Sequence, residues 1–357
     1  MPARRRMAHR WLLILLTCLL GGLGTTALGQ SSLRIAMLHT GLGRAGPGLL
    51  LRDIRRSEPD VMAIVAAIAA RAPDAIMLLD FDYDLTALAL RAFAARLAEA
   101  GHPMPYMFAP QPNSGVATGL DLDGDGRMGT PDDAQGWAGF AGSGGIALLS
   151  RWPIDTAALR DHTAFLWRDL PDARLPVRDG ALFPSAAVFD IQRLASVAAF
   201  EVPILIDERP LTLMSYHAGP PAFGGAQNRN RNRNADETRF WRLRLAGALG
   251  AAPAAPFVLL GDANLDVDNG DGIRREIQQL LAHPALQDPQ PLGPSPITGA
   301  PGPATAYWPD GPGAMRVEYV LPSAELMVRD AGLIWPHPEA RHALIWVDIA
   351  WPPPIPP

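Results

Sequence analysis

Acidic residues, histidines and an asparagine stand at the ends of apolar runs, and those types in those places suit water activation beside a phosphate and its metal. In FVLLGDANLD an apolar run delivers Asp262 and then Asn264. A carboxylate there would orient or deprotonate water, and the amide beside it would contact the phosphate. An Asx turn after a strand uses the same two residues, so the motif alone leaves both readings open. LTLMSYHAGPP closes a second apolar run with His217, and PDAIMLLDFDYD closes a third with Asp80. In layered α/β folds such strand ends gather along one edge of the sheets, where ligands bind.

Two further stretches carry charge in a pattern. In DLDGDGRMGTPDD, Asp121, Asp123 and Asp125 occupy positions one, three and five of a calcium loop, Gly126 makes the turn, and Asp132 falls at twelve. Alternate oxygen ligands around a glycine turn suit Ca2+ as a structural ion bracing a long insertion. An Asp/Gly-rich surface loop is the plainer reading, and Pro131 argues against an EF-hand helix. In NRNRNRNADETRFW, Arg229, Arg231 and Arg233 alternate with asparagines just before an expected helix. That pattern suits either an anion site at the helix start, with Arg233 on substrate, or a solvated basic loop. Trp137, Trp152, Trp167 and Trp241 are scattered and read as core or rim residues.

The elements that must position these residues alternate. Short apolar runs predict strands over 33–38, 75–79, 145–149, 211–216, 257–260, 317–321 and 344–349. Helices are expected over 60–70, 86–100, 235–249 and 272–282, with Gly101 closing the second and Asn234 capping the third. Long glycine- and proline-rich loops separate them, and no internal repeat is present. A chain of 357 residues, nearly half apolar, builds a sizeable core. Its net charge of -5 demands neither nucleic acid nor an anionic membrane.

The first residues read as an export signal. Arg4, Arg5, Arg6 and Arg10 precede the apolar run Trp11 to Leu20, and Ala27-Leu28-Gly29 fits a small-x-small cleavage site. The apolar run is shorter than the ~20 residues a membrane span needs. The single cysteine, Cys18, lies inside that signal. The mature chain therefore has no disulfide and no thiol nucleophile, which excludes cysteine protease, zinc-finger and thiol-redox chemistry. The expected organisation is a signal over 1–29, one domain over 30–350 and a solvated proline-rich tail over 351–357.

In order along the chain, RIAMLHTGL, PDAIMLLDFDYD, GIALLSRWPI, LTLMSYHAGPP, RNADETRFW, FVLLGDANLD, MRVEYVLPS and ARHALIWVDI resemble the endonuclease/exonuclease/phosphatase superfamily, in a secreted bacterial branch. The resemblance implies an α/β fold: a four-layer α/β/β/α sandwich of two mixed β-sheets flanked by helices. It implies catalytic roles for His217, Asp262, Asn264 and His342, with Glu318 holding His342 in its working tautomer. It implies Mg2+ or Mn2+ at Asp80 and Asp262, and phosphate contacts from His39 and Arg341. Three positions depart from the pattern: His39 stands for an asparagine, Asp80 for a glutamate and Arg341 for an acid. An arginine repels a metal but clamps a phosphate.

The reading at this level is an exported metal-dependent phosphoesterase whose substrate is a nucleic acid, an inositol phosphate or a phospholipid headgroup. The alternative is a family member without catalysis that binds an anionic ligand or a protein. The export pattern predicts a mature chain lacking the first ~29 residues. Mass spectrometry of protein recovered outside the cytoplasm tests this, and an intact Met1 there would overturn it.

Overall fold

The computed structural model describes residues 31–351. The expected signal, and all of the expected tail except Trp351, lie outside the described residues. The strands that build the two large sheets are β1 (Ser31–His39), β2 (Ala75–Phe81), β3 (Tyr106–Phe108), β4 (Gly145–Ser150), β5 (Arg160–Asp161), β6 (Ala199–Ile206), β7 (Arg209–His217), β8 (Phe257–Asp262), β9 (Glu318–Pro322), β10 (Val328–Ile334) and β11 (Leu344–Trp351). The helices are α1 (Leu49–Arg56), α2 (Pro59–Arg71), α3 (Leu88–Glu99), α4 (Ala186–Phe189), α5 (Arg229–Leu245) and α6 (Arg274–Leu281).

Strand alternation decides the layers. The first sheet has six strands in the order β10-β11-β1-β2-β4-β3, and the second has five in the order β9-β8-β7-β6-β5. Ile35 and Met37 of β1 face inward and meet Phe200, Leu213, Val258 and Val320 from the other sheet. Their neighbours Ala36 and Leu38 face outward and pack under Ile54, Ile64, Ile68 and Phe93 of the first three helices. On the far side, Met214, Tyr216 and Leu259 pack against Phe240, Trp241 and Ile277 of α5 and α6. The four-layer α/β/β/α sandwich is thus in place. Strands such as β2 and β8 are apolar up to Asp80 and Asp262 because both their faces are covered. No helix among the described residues is long and apolar enough to cross a membrane.

Several expected boundaries move. Trp351 is buried at the end of β11 rather than opening the tail. Helix α5 begins at Arg229, six residues before the expected start, so Asn234 is not its cap. Asn234 sits inside the helix and its Nδ2 donates to the carbonyls of Gly219 and Ala263, both at 2.8 Å. The helix was foreshortened because its buried face is polar: Arg233, Asp236, Glu237 and Arg244 all point inward. Strand β6 was not expected because Glu201 and Pro203 interrupt its apolar run. Glu201 is buried against Arg244 at 2.7 Å and His162 at 3.0 Å. Helix α1 and the partly exposed β10 also went unpredicted.

The acidic loop keeps only the first half of the calcium pattern. Asp121 and Asp123 are brought together with Asp133, not with Asp125 or Asp132, both of which are exposed. Pro131 opens a short 3-10 turn, and that turn carries Asp133 inward. Asp133 accepts the Leu122 amide at 2.8 Å and the Thr130 amide and hydroxyl at 2.9 Å each. Asp121 accepts the amides of Gly124 and Gly126 at 2.7 and 2.8 Å. The loop's own amides therefore already brace it. We expect Asp133→Ala to cost about 1–2 kcal/mol, as the loss of a buried capping carboxylate does. Asp132→Ala should stay within about 0.5 kcal/mol. Thermal unfolding of the two variants measures the difference, and equal effects would overturn the assignment.

Candidate active site

Three adjacent strands of the second sheet set the geometry. Asp262 ends β8, pairing in parallel with His217 of β7 and antiparallel with Glu318 of β9. One carboxylate thus has an imidazole on one side and a second carboxylate on the other. All three are buried or nearly so, and His217 Nε2 lies 3.5 Å from Asp262 Oδ2. From the first sheet, β1 delivers His39 to the same place. Its ring stands 5.1 Å from that of His217, nearly perpendicular at 78°. His342, just before β11, stacks on His39 at 3.9 Å and 15°. The Trp308 ring meets His342 edge-on at 5.5 Å.

Burial governs the protonation of this cluster. It lowers His39 and His217 well below the usual imidazole range, and the neighbouring histidines act in the same direction. Burial raises Asp262 well above the carboxylate range, with Glu318 adding to it. Burial likewise pushes Glu318 up to about 8. Glu318 Oε1 is bonded to Nδ1 of His342, whose own pKa burial and then Arg341 bring down to about 3. Burial thus favours the neutral form of both partners, and one hydrogen bond joins Glu318 Oε1 to His342 Nδ1. That leaves Nε2 of His342 as the ring nitrogen that reaches a ligand. Three polar atoms in the cluster are buried without a hydrogen-bond partner: Nδ1 of His39, Nδ1 of His217 and Oε2 of Glu318.

Asn264 follows Asp262 in a left-handed conformation, φ 48°. Its amide N–H donates to Asp262 Oδ1 at 2.7 Å, and its Nδ2 donates to the Ala218 carbonyl at 2.8 Å. The Asx turn is therefore realised: it fixes Asp262, and the side-chain oxygen of Asn264 is left for a ligand. The residue that sequence reasoning missed is Asn234 of α5. It holds Gly219 and Ala263, next to the two strand ends that carry His217 and Asp262. The DETRFW stretch that follows it was the available signal. Glu237, three residues on, accepts the Gly219 amide at 2.9 Å.

Asp80 occupies a β-bulge of β2, φ 52°, where the register shifts between Leu79 and Phe81. Its carboxyl is wedged against two glycines. A Cβ on Gly43 or Gly144 would come within 2.5 or 2.7 Å of Oδ1. Among the described residues Asp80 joins none of the three-residue groups able to hold a cation, whereas Asp262 joins two of them. Asp82 and Asp84 offer no replacement. Asp82 accepts the amides of Arg44 and Gly144 at 3.0 and 2.9 Å, and Asp84 caps α3 through Leu88 and Ala89 at 2.7 and 2.9 Å.

Two cavities flank the cluster and share Asp80 as a wall. One, of about 370 Å³, is lined by His39, Trp308, Arg341 and His342. Arg341 is exposed there, so its guanidinium is free to meet an anion. The other, of about 790 Å³, is lined by His217, Gly219, Arg44 and Arg229, with Trp137 at its rim. Arg233 was expected on substrate, and the structure corrects that. Its guanidinium is buried and donates to the carbonyls of Leu194, Gln135, Arg193 and Ala195 at 2.6–3.1 Å. It clamps backbone while lining the larger cavity beside Arg229. Trp167 and Trp241 are core residues, as expected.

Helices outside two facing sheets, with carboxylates and imidazoles converging from the ends of both, define a layered α/β hydrolase scaffold. The chain belongs to the Endonuclease/Exonuclease/phosphatase family, whose sequence profile matches residues 43–348. Members of that family act on phosphoesters and generally depend on a divalent metal. Among solved structures it is similar to an endonuclease/exonuclease/phosphatase from Beutenbergia cavernae DSM 12333. The TM-score is 0.52 at 17% identity, over 89% of this chain and 71% of that one. It is also similar to a family protein from Leptotrichia buccalis C-1013-b, with a TM-score of 0.50 at 13% identity, over 89% of this chain and 100% of that one. Such identities bear on the fold alone. Comparison with curated proteins gives no match.

The protonation pattern predicts a pH dependence of stability in the metal-free protein. Glu318, raised from 4.5 to about 8, contributes stability that is full below pH 4.5 and lost as pH rises to about 8. His342, lowered from 6.5 to about 3, contributes stability that is full above pH 6.5 and lost only as pH falls. The two oppose each other below pH 6.5, so the loss emerges between pH 6.5 and 8, with Asp262 adding the same sign. The melting temperature should fall across that window, and the slope should be shallower in Glu318→Gln. An unchanged slope in the variant would sink this account.

Proposed function

We propose that the protein is an exported, metal-dependent phosphoesterase that hydrolyses its substrate by attack of water. What carries this reading is the convergence of Asp262, Glu318, His39, His217 and His342 at the ends of strands from both sheets. Asp262, with its raised pKa and its Asx turn to Asn264, is placed to accept a proton from water. His342, aligned by Glu318, presents Nε2–H to a phosphate oxygen, and the exposed Arg341 on the same cavity wall adds a cation. A bound divalent cation would neutralise phosphate oxygens and lower the pKa of water. The larger cavity beside His217 has room for the departing group, and Arg229 in its wall suits an anionic one, whereas Arg44 there is paired with Asp53 and Asp60. Nucleic acid, inositol phosphate and phospholipid headgroup all remain within that chemistry. Export rests on the basic-apolar-small pattern before Gln30.

The decisive assay is release of nitrophenol from a chromogenic phosphodiester by pure protein with and without divalent cation. We expect cation-dependent turnover. Asp262→Ala and His342→Ala should each cut it by about a hundredfold or more, and Arg341→Ala by roughly a hundredfold. Absence of hydrolysis with any divalent cation would instead favour the anion-binding alternative.

A further inference from the structure

The donor set at the centre of the cluster does not suit magnesium. Mg2+ demands a near-octahedral shell of oxygens. Here one ligand atom each from His39, His217 and Asp262 lie within 4.8 Å of one another, giving two nitrogens and one oxygen. The spacing of the one pair resolved in detail is informative. His217 Nε2 and Asp262 Oδ2 are 3.5 Å apart. A charge-assisted hydrogen bond would draw them to about 2.7–2.9 Å. Two donors on one tetrahedral ion, with bonds of ~2.0–2.1 Å, stand about 3.3–3.4 Å apart. The two imidazoles are crossed at 78° rather than stacked on each other. Nδ1 of His39 is buried without a partner, and a buried polar atom left so calls for an occupant. Asp80 does not complete an oxygen shell, because its carboxyl is wedged between Gly43 and Gly144, outside the group.

We propose that His39, His217 and Asp262 form a three-ligand site for a transition-class divalent cation, Zn2+ foremost, rather than for Mg2+. Two imidazoles and a carboxylate, with the fourth position left to water or a phosphate oxygen, are a donor set that zinc accepts and magnesium does not. Access to that fourth position runs through the flanking cavities, one lined by His39 and the other by His217. The site deepens the phosphoesterase reading by naming its cation, but its binding test does not depend on turnover.

The test uses tag-free mature protein stripped with chelator, carrying Asp123→Asn so that the acidic loop does not compete. Co2+ is titrated as a coloured stand-in, then Zn2+ and Mg2+ are added in competition. We expect one equivalent of Co2+ with a visible absorption band, displaced by equimolar Zn2+ and retained in millimolar Mg2+. His39→Asn and His217→Gln should each weaken binding by at least about a hundredfold, above what losing an outer-shell partner costs, with circular dichroism unchanged. X-ray absorption at the zinc edge of the His-intact protein should count two imidazoles, which keeps the test alive if a variant misfolds. No band, displacement by Mg2+, a band that survives both substitutions, or a zinc shell without imidazole would each overturn the site. Hydrolysis measured in parallel separates the two ideas. Zinc bound with no turnover of any phosphodiester keeps the site and removes the phosphoesterase reading. Mg2+-driven hydrolysis that His39→Asn leaves unchanged keeps the phosphoesterase reading and removes the site.

Discussion

Everything at this site follows from two carboxylates that strand register forces into one dry place. Asp262 and Glu318 face each other across β8 and β9, and neither has water to share its charge. Moving ionised carboxylates out of water is expensive, so such groups hold a proton or find a cation. The histidines around them answer part of that demand. His342 takes one oxygen of Glu318, and His217 stands beside Asp262 at 3.5 Å. The other oxygen of Glu318 stays unpartnered, and so do nitrogens on His39 and His217. The polypeptide has built the surroundings of a charge that it does not itself supply.

Holding that arrangement needs stiffness behind the strand ends, and α5 provides it with polar rather than apolar contacts. Asn234 ties together the turns after β7 and β8, and Glu237 accepts the amide of Gly219. Arg233 gathers four backbone carbonyls from the neighbouring loops. Burying such groups is tolerable because Asn234, Glu237 and Arg233 each meet backbone partners, although Thr238 Oγ1 and Trp241 Nε1 of the same helix are buried without one. Burial brings Arg233 down to about 10 and raises Glu237 to about 7, so even here charge is held at a cost. The helix fixes the turns after β7 and β8 at once. A hydrophobic face would bury more easily but would not specify where those turns lie.

The same polar helix explains what the sequence showed and what it hid. Apolar runs closed by His39, Asp80, His217 and Asp262 were readable because β1, β2, β7 and β8 are covered on both faces, so a polar residue at the end of each stands out. Partners joined across sheets, such as His39 with His217 or Glu318 with His342, came only through the family resemblance, since no local pattern links residues so far apart. The start of α5 and the role of Arg233 were hidden because a basic run normally means a solvated face. Strand β6 was masked by a buried glutamate whose partner, Arg244, lies on another element. In the acidic loop the spacing pointed to Asp132, but the turn opened by Pro131 sends Asp133 inward instead. In each case a tertiary partner overrode a local rule.

The choice between chemistry and mere binding turns on charge. A pocket kept only to hold an anion benefits from Arg341, Arg229 and neutral imidazoles, but Asp262 and Glu318 at its centre would repel the ligand whenever they ionise. Asp262 and Glu318 make sense together only if a cation joins them or if one of them takes a proton during turnover. Arg341 does not contradict this. It is exposed on a cavity wall, whereas the carboxylates lie inward at the strand ends. An arginine there would meet a phosphate from the solvent side, while a cation and Asp262 would act from within. Positive charge on both flanks of a phosphate, with a carboxylate ready for water, is the distribution that hydrolysis uses.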